Sequence, residues 1–245
     1  MPEPPQFSLI IPAFNEAALL PRLLDSVDAA RSRFNGGSNA IEVIVADNAS
    51  TDTTAEIASA RGCVVAAVEK RCIAAARNGG AAVARGAILC FIDADMRVHP
   101  ETFNVIADTL TNPRVVAGAT GVTLERWSVG LAMTWIVMMP MVWLVGIDTG
   151  VVFCRRGDFE TIEGYDELRM VAEDVDFLLR MRKLGKPRGQ RLTRARSAKA
   201  IASTRKFDTY GDWHYFTQMP RMAWRMLRDP HVRDDFVRRY WYEDR

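Results

Sequence analysis

The chain has 245 residues, of which 49% are hydrophobic and 25% charged, and its 32 basic and 30 acidic side chains leave a formal net charge of +2. Such a composition describes an ordinary globular chain, one large domain or one domain with a tail, and the near-balanced charge argues against a nucleic-acid partner. Four cysteines (Cys63, Cys72, Cys90, Cys154) lack C-x-x-C spacing, so they predict reduced thiols rather than a disulfide frame or a zinc site.

Phe7–Pro12 is a short apolar run ended by proline, a buried first strand. Leu19, Leu20, Leu23, Leu24 and Val27 then follow the helical period, with Asn15 as the expected cap. Ile41–Asp47 is a second strand ending in a carboxylate, followed by a helix over about 51–61 and a weaker strand over 63–68. An alanine-rich helix over 74–84 carries Arg77-Asn78-Gly79-Gly80 and leads to the apolar strand Ala87–Ile92; a further helix begins near Pro100. This alternation predicts an α/β fold, a Rossmann-like, mostly parallel sheet with helices on both faces. Beyond residue 113 the alternation weakens, with extended segments over 115–123 and 150–154 and a helix over 173–184 stopped by Gly185 and Pro187. The last forty residues interleave aromatic and methionine positions with arginines, an amphipathic helical tail. The expected division is 1–206 as one domain, made of halves 1–112 and 113–206, with 207–245 as the tail.

Two stretches bear on location. Trp127–Ile147 contains no charged residue and just reaches spanning length, but Pro140 interrupts it and Gly130 and Gly146 flank it. A span, an interfacial helix and a buried helix beside an acceptor site are all open readings. Between Phe177 and Phe207 lie eleven Lys or Arg and no acid, a pattern of a solvated basic face, phosphate contact or contact with an anionic membrane. Residues 1–5 lack the basic-then-apolar order of a secretory signal, so the expected location is cytoplasmic, with association at the inner membrane face as its extension.

The chemistry centres on Asp93-Ala94-Asp95. In an open α/β sheet the carboxyl ends of the strands face the ligand crevice, and alternation puts both acids on one side of the chain. Two hard oxygen donors there suit Mg²⁺ or Mn²⁺, which would hold phosphate oxygens; the bland alternative is a strand ending in a polar turn. No glycine follows the first strand and no G-x-x-x-x-G-K-[ST] is present, which removes dinucleotide-binding and P-loop readings. A nucleotide held between Asp47 and Asp93/Asp95, its diphosphate neutralised by a cation, makes sense when the diphosphate is the leaving group, and the incoming nucleophile then needs a base.

Four blocks in order resemble family-2 glycosyltransferases of the GT-A fold: Ser8–Glu16, Ala46–Asp52, Arg77–Gly80 leading into Phe91–Asp95, and Gly164–Glu167 followed by Glu173–Phe177. The resemblance covers roughly residues 7–185. It implies a metal-dependent transfer of a sugar from a UDP- or GDP-sugar to a hydroxyl acceptor, with inversion. Pro12, Ala13, Asn15 and Glu16 would line the donor pocket, Asp47 would hold the base, and Arg77 would contact base or diphosphate. Asp93 and Ala94 would contact the donor, with Asp95 and Asp93 as metal ligands and His214 as a further candidate ligand. Asp174 would be the catalytic base with Glu173 orienting it, and Arg205 and Lys206 would reach the diphosphate. Asp148 and Thr149, directly after the apolar stretch, are acceptor-side candidates, and that stretch itself suggests a lipid-linked acceptor. The alternative is a catalytically inactive nucleotide-sugar-binding or partner-binding protein of the same fold.

Overall fold

The computed structural model describes residues 4–145, 147–169 and 172–217, without the side chains of 138–145. Its strands are β1 (Phe7–Ala13), β2 (Ile41–Asp47), β3 (Val64–Ala67), β4 (Ile88–Phe91), β5 (Met96–Arg97), β6 (Val115–Ala119), β7 (Val122–Leu124), β8 (Val152–Arg155), β9 (Arg191–Arg194) and β10 (Ala200–Ala202). The helices are α1 (Leu20–Arg33), α2 (Thr54–Ala60), α3 (Ile73–Val83), α4 (Thr102–Thr111), α5 (Val129–Val145), α6 (Arg156–Thr161), α7 (Glu173–Gly185), α8 (Arg205–Tyr210) and α9 (His214–Thr217).

Seven strands form one sheet in the order β3-β2-β1-β4-β8-β6-β9, and β5, β10 and β7 form a smaller one. β1 pairs in parallel with both β2 and β4, whereas β8 runs antiparallel to β4 and β6. The chain winds outward from β1 to β3 and returns to the other side of β1, so the strand order reverses between β1 and β4. A reversal of that kind opens a crevice at the carboxyl ends of the strands.

Strand alternation distributes the core over both faces. Phe7, Leu9 and Ile11 of β1 pack with α1 and α4 residues such as Leu23, Val27 and Phe103, while Ile10 packs with Ala74, Ala81 and Phe91 on the opposite side. The second face owes its tight fit to Gly80, where an added Cβ would sit 2.5 Å from Ile10 Cγ2 and 3.3 Å from Ala46. α3 therefore lies close against β1 and β2 and carries Arg77 into the interior.

β2 coincides with its expected limits, but two local expectations are overturned. Asn15 does not cap α1, which starts at Leu20. It adopts a left-handed conformation (φ 53°), and its Oδ1 accepts from Thr51 N at 2.8 Å, tying the loop after β1 to the loop after β2. The helix expected from about residue 51 begins at Thr54, because Asp52 Oδ1 accepts from Thr54 N and holds 51–53 as a turn. The cysteines are all free thiols, with Cys72, Cys90 and Cys154 buried.

Leu124–Gly146 and the chain from Ser203 form a second compact unit, and the rest forms the first. Within the second, Arg126 pairs with Asp208 (Nε 2.9 Å) and Asp212 (Nη1 3.1 Å). Trp127, Val129, Met133, Ile136 and Val137 are exposed. Among the described residues no helix is long and apolar enough to cross a membrane. Of the expected tail, residues 218–245 lie outside the described residues.

Candidate functional site

Three strand ends deliver the first group of residues. The loop after β1 and the loop after β2 are stitched together: Asn15 N donates to Ser50 Oγ, Glu16 N to Thr54 Oγ1 at 2.9 Å and Ala17 N to Asp52 Oδ2 at 3.1 Å. These bonds hold Asp52 below the ordinary carboxylate range: burial pushes it up, and the Thr54 and Ala17 donors outweigh that. Asn48 fastens the third side, donating to the Val68 and Lys70 carbonyls and accepting from Cys72 N. Asp47, at the end of β2, thus sits in a rigid frame. Its Oδ1 is buried with no hydrogen-bond partner among the described residues. A buried carboxylate oxygen without a donor is costly, and an N–H arriving there would relieve it.

The centre of the site is Arg77, 2% exposed. Its Nη2 donates to Asp93 Oδ1 at 2.9 Å and to Asp174 Oδ2 at 3.0 Å, and its Nη1 donates to Glu173 Oε1 at 2.9 Å. Tyr165 lies beneath it, with the guanidinium carbon 5.0 Å from the ring centroid. Burial alone would lower the guanidinium pKa, but Asp174, Tyr165, Asp93 and Glu173 outweigh it and hold the group well above its ordinary value. Arg77 is therefore an obligate cation, and both its Nη atoms face carboxylates of this chain. In the geometry described it clamps the acids after β4 to the acids opening α7.

Asp174 is doubly held. Tyr165 Oη donates to its Oδ1 at 3.0 Å, and Tyr165 is itself fixed by a stacked Phe177 ring 4.3 Å away and an edge-on Phe91. Burial pushes the Asp174 carboxyl up to about 6, against the opposing pull of Arg77, with Asp93 and Glu173 adding to the rise. Gly164, at φ 69°, makes the turn that aims Tyr165: a side chain there would strike Asn78 Oδ1 at 2.6 Å. Asn78 in turn accepts from Tyr165 N and donates to Tyr165 O and Glu167 Oε1. Sequence reading assigned Tyr165 and Asn78 no role, although both fall inside the motif blocks; the signal was their place beside an arginine and two acids.

One guanidinium faces three carboxylates, an excess of two negative charges. That excess, and Asp93 at 36% side-chain exposure with Asp95 partly exposed, fits a divalent cation at the strand end. Among the described residues no three His, Cys, Asp or Glu groups form a cage. The fit is to a cation held by one or two carboxylates and completed by ligand phosphates, the habit of Mg²⁺ and of similar hard ions.

Asp148, 8% exposed, is bound by Arg196, and Thr149 is exposed. Arg205, Lys206 and His214 belong to the second unit, where Arg205 opens α8 and His214 Nδ1 lies 2.9 Å from Gly211 O.

Solved structures share this architecture. A mannosyltransferase from Pyrobaculum calidifontis in complex with GDP-Man and Mn²⁺ superposes with a TM-score of 0.62 at 20% identity, over 82% of this chain and 57% of that one. S. aureus TarS 1-349 in complex with UDP does so with a TM-score of 0.60 at 19% identity, over 84% and 63%. The sheet and its crevice are those of a GT-A fold. The family model for glycosyl transferase family 2 matches residues 8–142, and the chain belongs to that family. A validoxylamine A glucosyltransferase of Streptomyces hygroscopicus is 34% identical over 110 residues, and a PGL/p-HBAD biosynthesis glycosyltransferase of Mycobacterium bovis is 28% identical over 194. The match spans 24% of the first relative's length and 69% of the second's.

Proposed function

We propose that this protein is a glycosyltransferase moving a sugar from a nucleotide-diphosphate donor to a hydroxyl acceptor, with Asp174 as general base. The observation that carries it is the Arg77 cluster, which brings Asp93 from the donor strand end together with Asp174 and Glu173. Asp47 Oδ1 is the acceptor for a base N–H, which suits a uracil or guanine nucleotide. Neighbours of the fold are described with UDP, UDP-GlcNAc and GDP-Man, which supports a UDP- or GDP-sugar without choosing between them.

Asp174 takes the proton of the acceptor hydroxyl as that oxygen attacks the anomeric carbon, and the nucleotide diphosphate departs. Direct attack in one displacement inverts the anomeric centre. Burial and the neighbouring acids make Asp174 a better base than an exposed aspartate, while Tyr165 and Arg77 hold its orientation. A divalent cation held by Asp93 and Asp95 would supply charge neutralisation at the diphosphate.

The test is a thermal-shift screen of nucleotide sugars with and without Mn²⁺, followed by hydrolysis and transfer assays. Asp95→Asn should weaken metal-dependent donor binding, and Asp174→Asn should lower turnover while sparing it. Unchanged turnover in both variants sinks the proposal. The same reading carries a location, contact with an anionic membrane face, which rests on the exposed apolar surface of Trp127, Val129, Met133, Ile136 and Val137 and admits a lipid-linked acceptor. Liposome flotation without retention would remove it.

A further inference from the structure

The carboxyl edge of the large sheet continues past the acids. Phe91 of β4 pairs with Val152 of β8, Val152 with Ala119 of β6, and Ala119 with Arg194 of β9, so one register row runs from the donor strand to Arg194. Three strand spacings separate the ends of that row, about 14 Å. At its far end Asp148 is sunk among cations. Arg196 Nε donates to Asp148 Oδ2 at 2.8 Å and Nη2 to Oδ1 at 3.3 Å, while Arg194 Nε lies 3.7 Å from Oδ2.

The turn at Gly121 (φ 78°) brings Lys199 to the same place. A Cβ on Gly121 would lie 3.6 Å from Asp148 Oδ2 and 3.8 Å from Cγ of both Arg196 and Lys199. Gly121 N donates to Thr149 O, and Ala200 N donates to Gly121 O, so the three segments are locked to one another. Two guanidinium groups thus face one acid, and the Lys199 side chain runs beside the same turn. The acid is nearly buried, yet Arg194 and Arg196 keep 31% and 44% side-chain exposure and Lys199 is exposed. Asp148 occupies Nε and Nη2 of Arg196. The outer fork of Arg196, with Arg194 and Lys199, presents to solvent two positive charges more than Asp148 balances.

We propose that Arg194, Arg196 and Lys199 form an acceptor subsite for a phosphate group, so that the molecule receiving the sugar is anionic. Asp148 orders the arginines and competes with the incoming phosphate for them. Guanidinium forks match phosphate oxygens in a bidentate manner, which a lone lysine does not. The spacing along the edge separates the acceptor's charge from its reacting hydroxyl by roughly the length of one or two sugar or polyol units. This proposal rests on the glycosyltransferase reading for the word acceptor, but the phosphate site itself is testable without donor or turnover.

Calorimetric titration of the intact protein with inorganic phosphate is the first measurement. Arg196→Ala should weaken binding about tenfold, the effect of losing one charge-assisted interaction, and Lys199→Ala should weaken it less. Asp148→Asn should act in the opposite direction and tighten phosphate binding, since it removes the internal competitor. A purely structural Arg196–Asp148 ion pair predicts instead that Arg196→Ala and Asp148→Asn both lower the melting temperature and leave phosphate affinity alone. That result, or no saturable phosphate binding by the unaltered protein, overturns the proposal. Competition with inorganic phosphate then names the source. Displacement by glycerol 3-phosphate points to a soluble phosphate ester, displacement only by phosphatidic acid vesicles points to a lipid headgroup, and displacement by neither counts against an organic phosphate acceptor.

Discussion

Tyr165 Oη donates to Asp174 Oδ1 at 3.0 Å, a hydroxyl hydrogen bond to the candidate base. The ring that bears it is locked between Phe177 and Phe91, so the hydroxyl arrives at a fixed position. Tyr165→Phe keeps that packing and removes only the donor. With one hydrogen bond to the ionised form gone, the Asp174 pKa should rise further and kcat should fall about tenfold. A pH–rate profile whose acid limb does not move would separate Tyr165 from the base.

As the proposed base, Asp174 sets the expected pH dependence. It must be ionised to accept a proton, so activity should climb with a slope of one through a pH of about 6 and level off above it. Its effect on stability runs the other way. The folded value lies above that of the unfolded chain, so its contribution to stability is present below the unfolded value of 3.8 and lost as pH rises through about 6. At pH 8, Asp174→Asn should therefore melt higher than the parent, by on the order of 2 kcal/mol, while losing activity. A variant less stable than the parent at that pH refutes the burial account.

Arg77 leaves no such latitude. Arg77→Ala strands Asp93, Glu173 and Asp174 around a cavity without their cation and should cost about 3–5 kcal/mol. Arg77→Lys retains the charge but not the fork and should recover only part of that loss in a denaturant melt.

Gly80→Ala tests how Arg77 is delivered. The added methyl meets Ile10 Cγ2 at 2.5 Å, so α3 has to move off β1. Overpacking of this kind costs about 1–3 kcal/mol, and donor binding should weaken with it although Gly80 touches no ligand. Unaltered melting would show that the helix yields freely.

Asp47→Ala removes a carboxylate whose Oδ1 has no hydrogen-bond partner among the described residues. Stability should hold or rise, since a costly buried oxygen is removed, while donor affinity should drop about tenfold, the loss of one hydrogen bond to a charged acceptor. Calorimetry with matched uridine and guanosine nucleotides reads both the loss and the base preference.

The sheet edge that carries Asp47 and Asp93 was legible in the chain because it depends on local signals. The apolar runs of β2 and β4 end where carboxylates begin, and the strand–helix alternation places those ends at one edge. Asn15 was misread because a polar residue before a helical period looks like a cap; its left-handed backbone and its bond to Thr51 depend on a loop 36 residues away. Arg77 was recognisable as part of a block but not as the clamp between acids, since its direction follows from the close packing that Gly80 permits. The Asp148 cluster was the least legible. Its arginines reach the edge only because β9 pairs with β6 beyond β8, an order the sequence does not follow.

The bonds from Arg77 to Glu173 and Asp174 cross 96 and 97 residues of chain. Closing a loop of that length is entropically expensive and belongs to the late stages of folding. A chain emerging from synthesis therefore carries the acids after β4 and the stitched loops after β1 and β2 before Glu173 and Asp174 can join them. Until α7 docks, Arg77 faces Asp93 without the two acids of that helix. On the proposed function, a product that stops short of α7 has the donor-side residues without the base, and it should hold a nucleotide sugar poorly and cleave none of it.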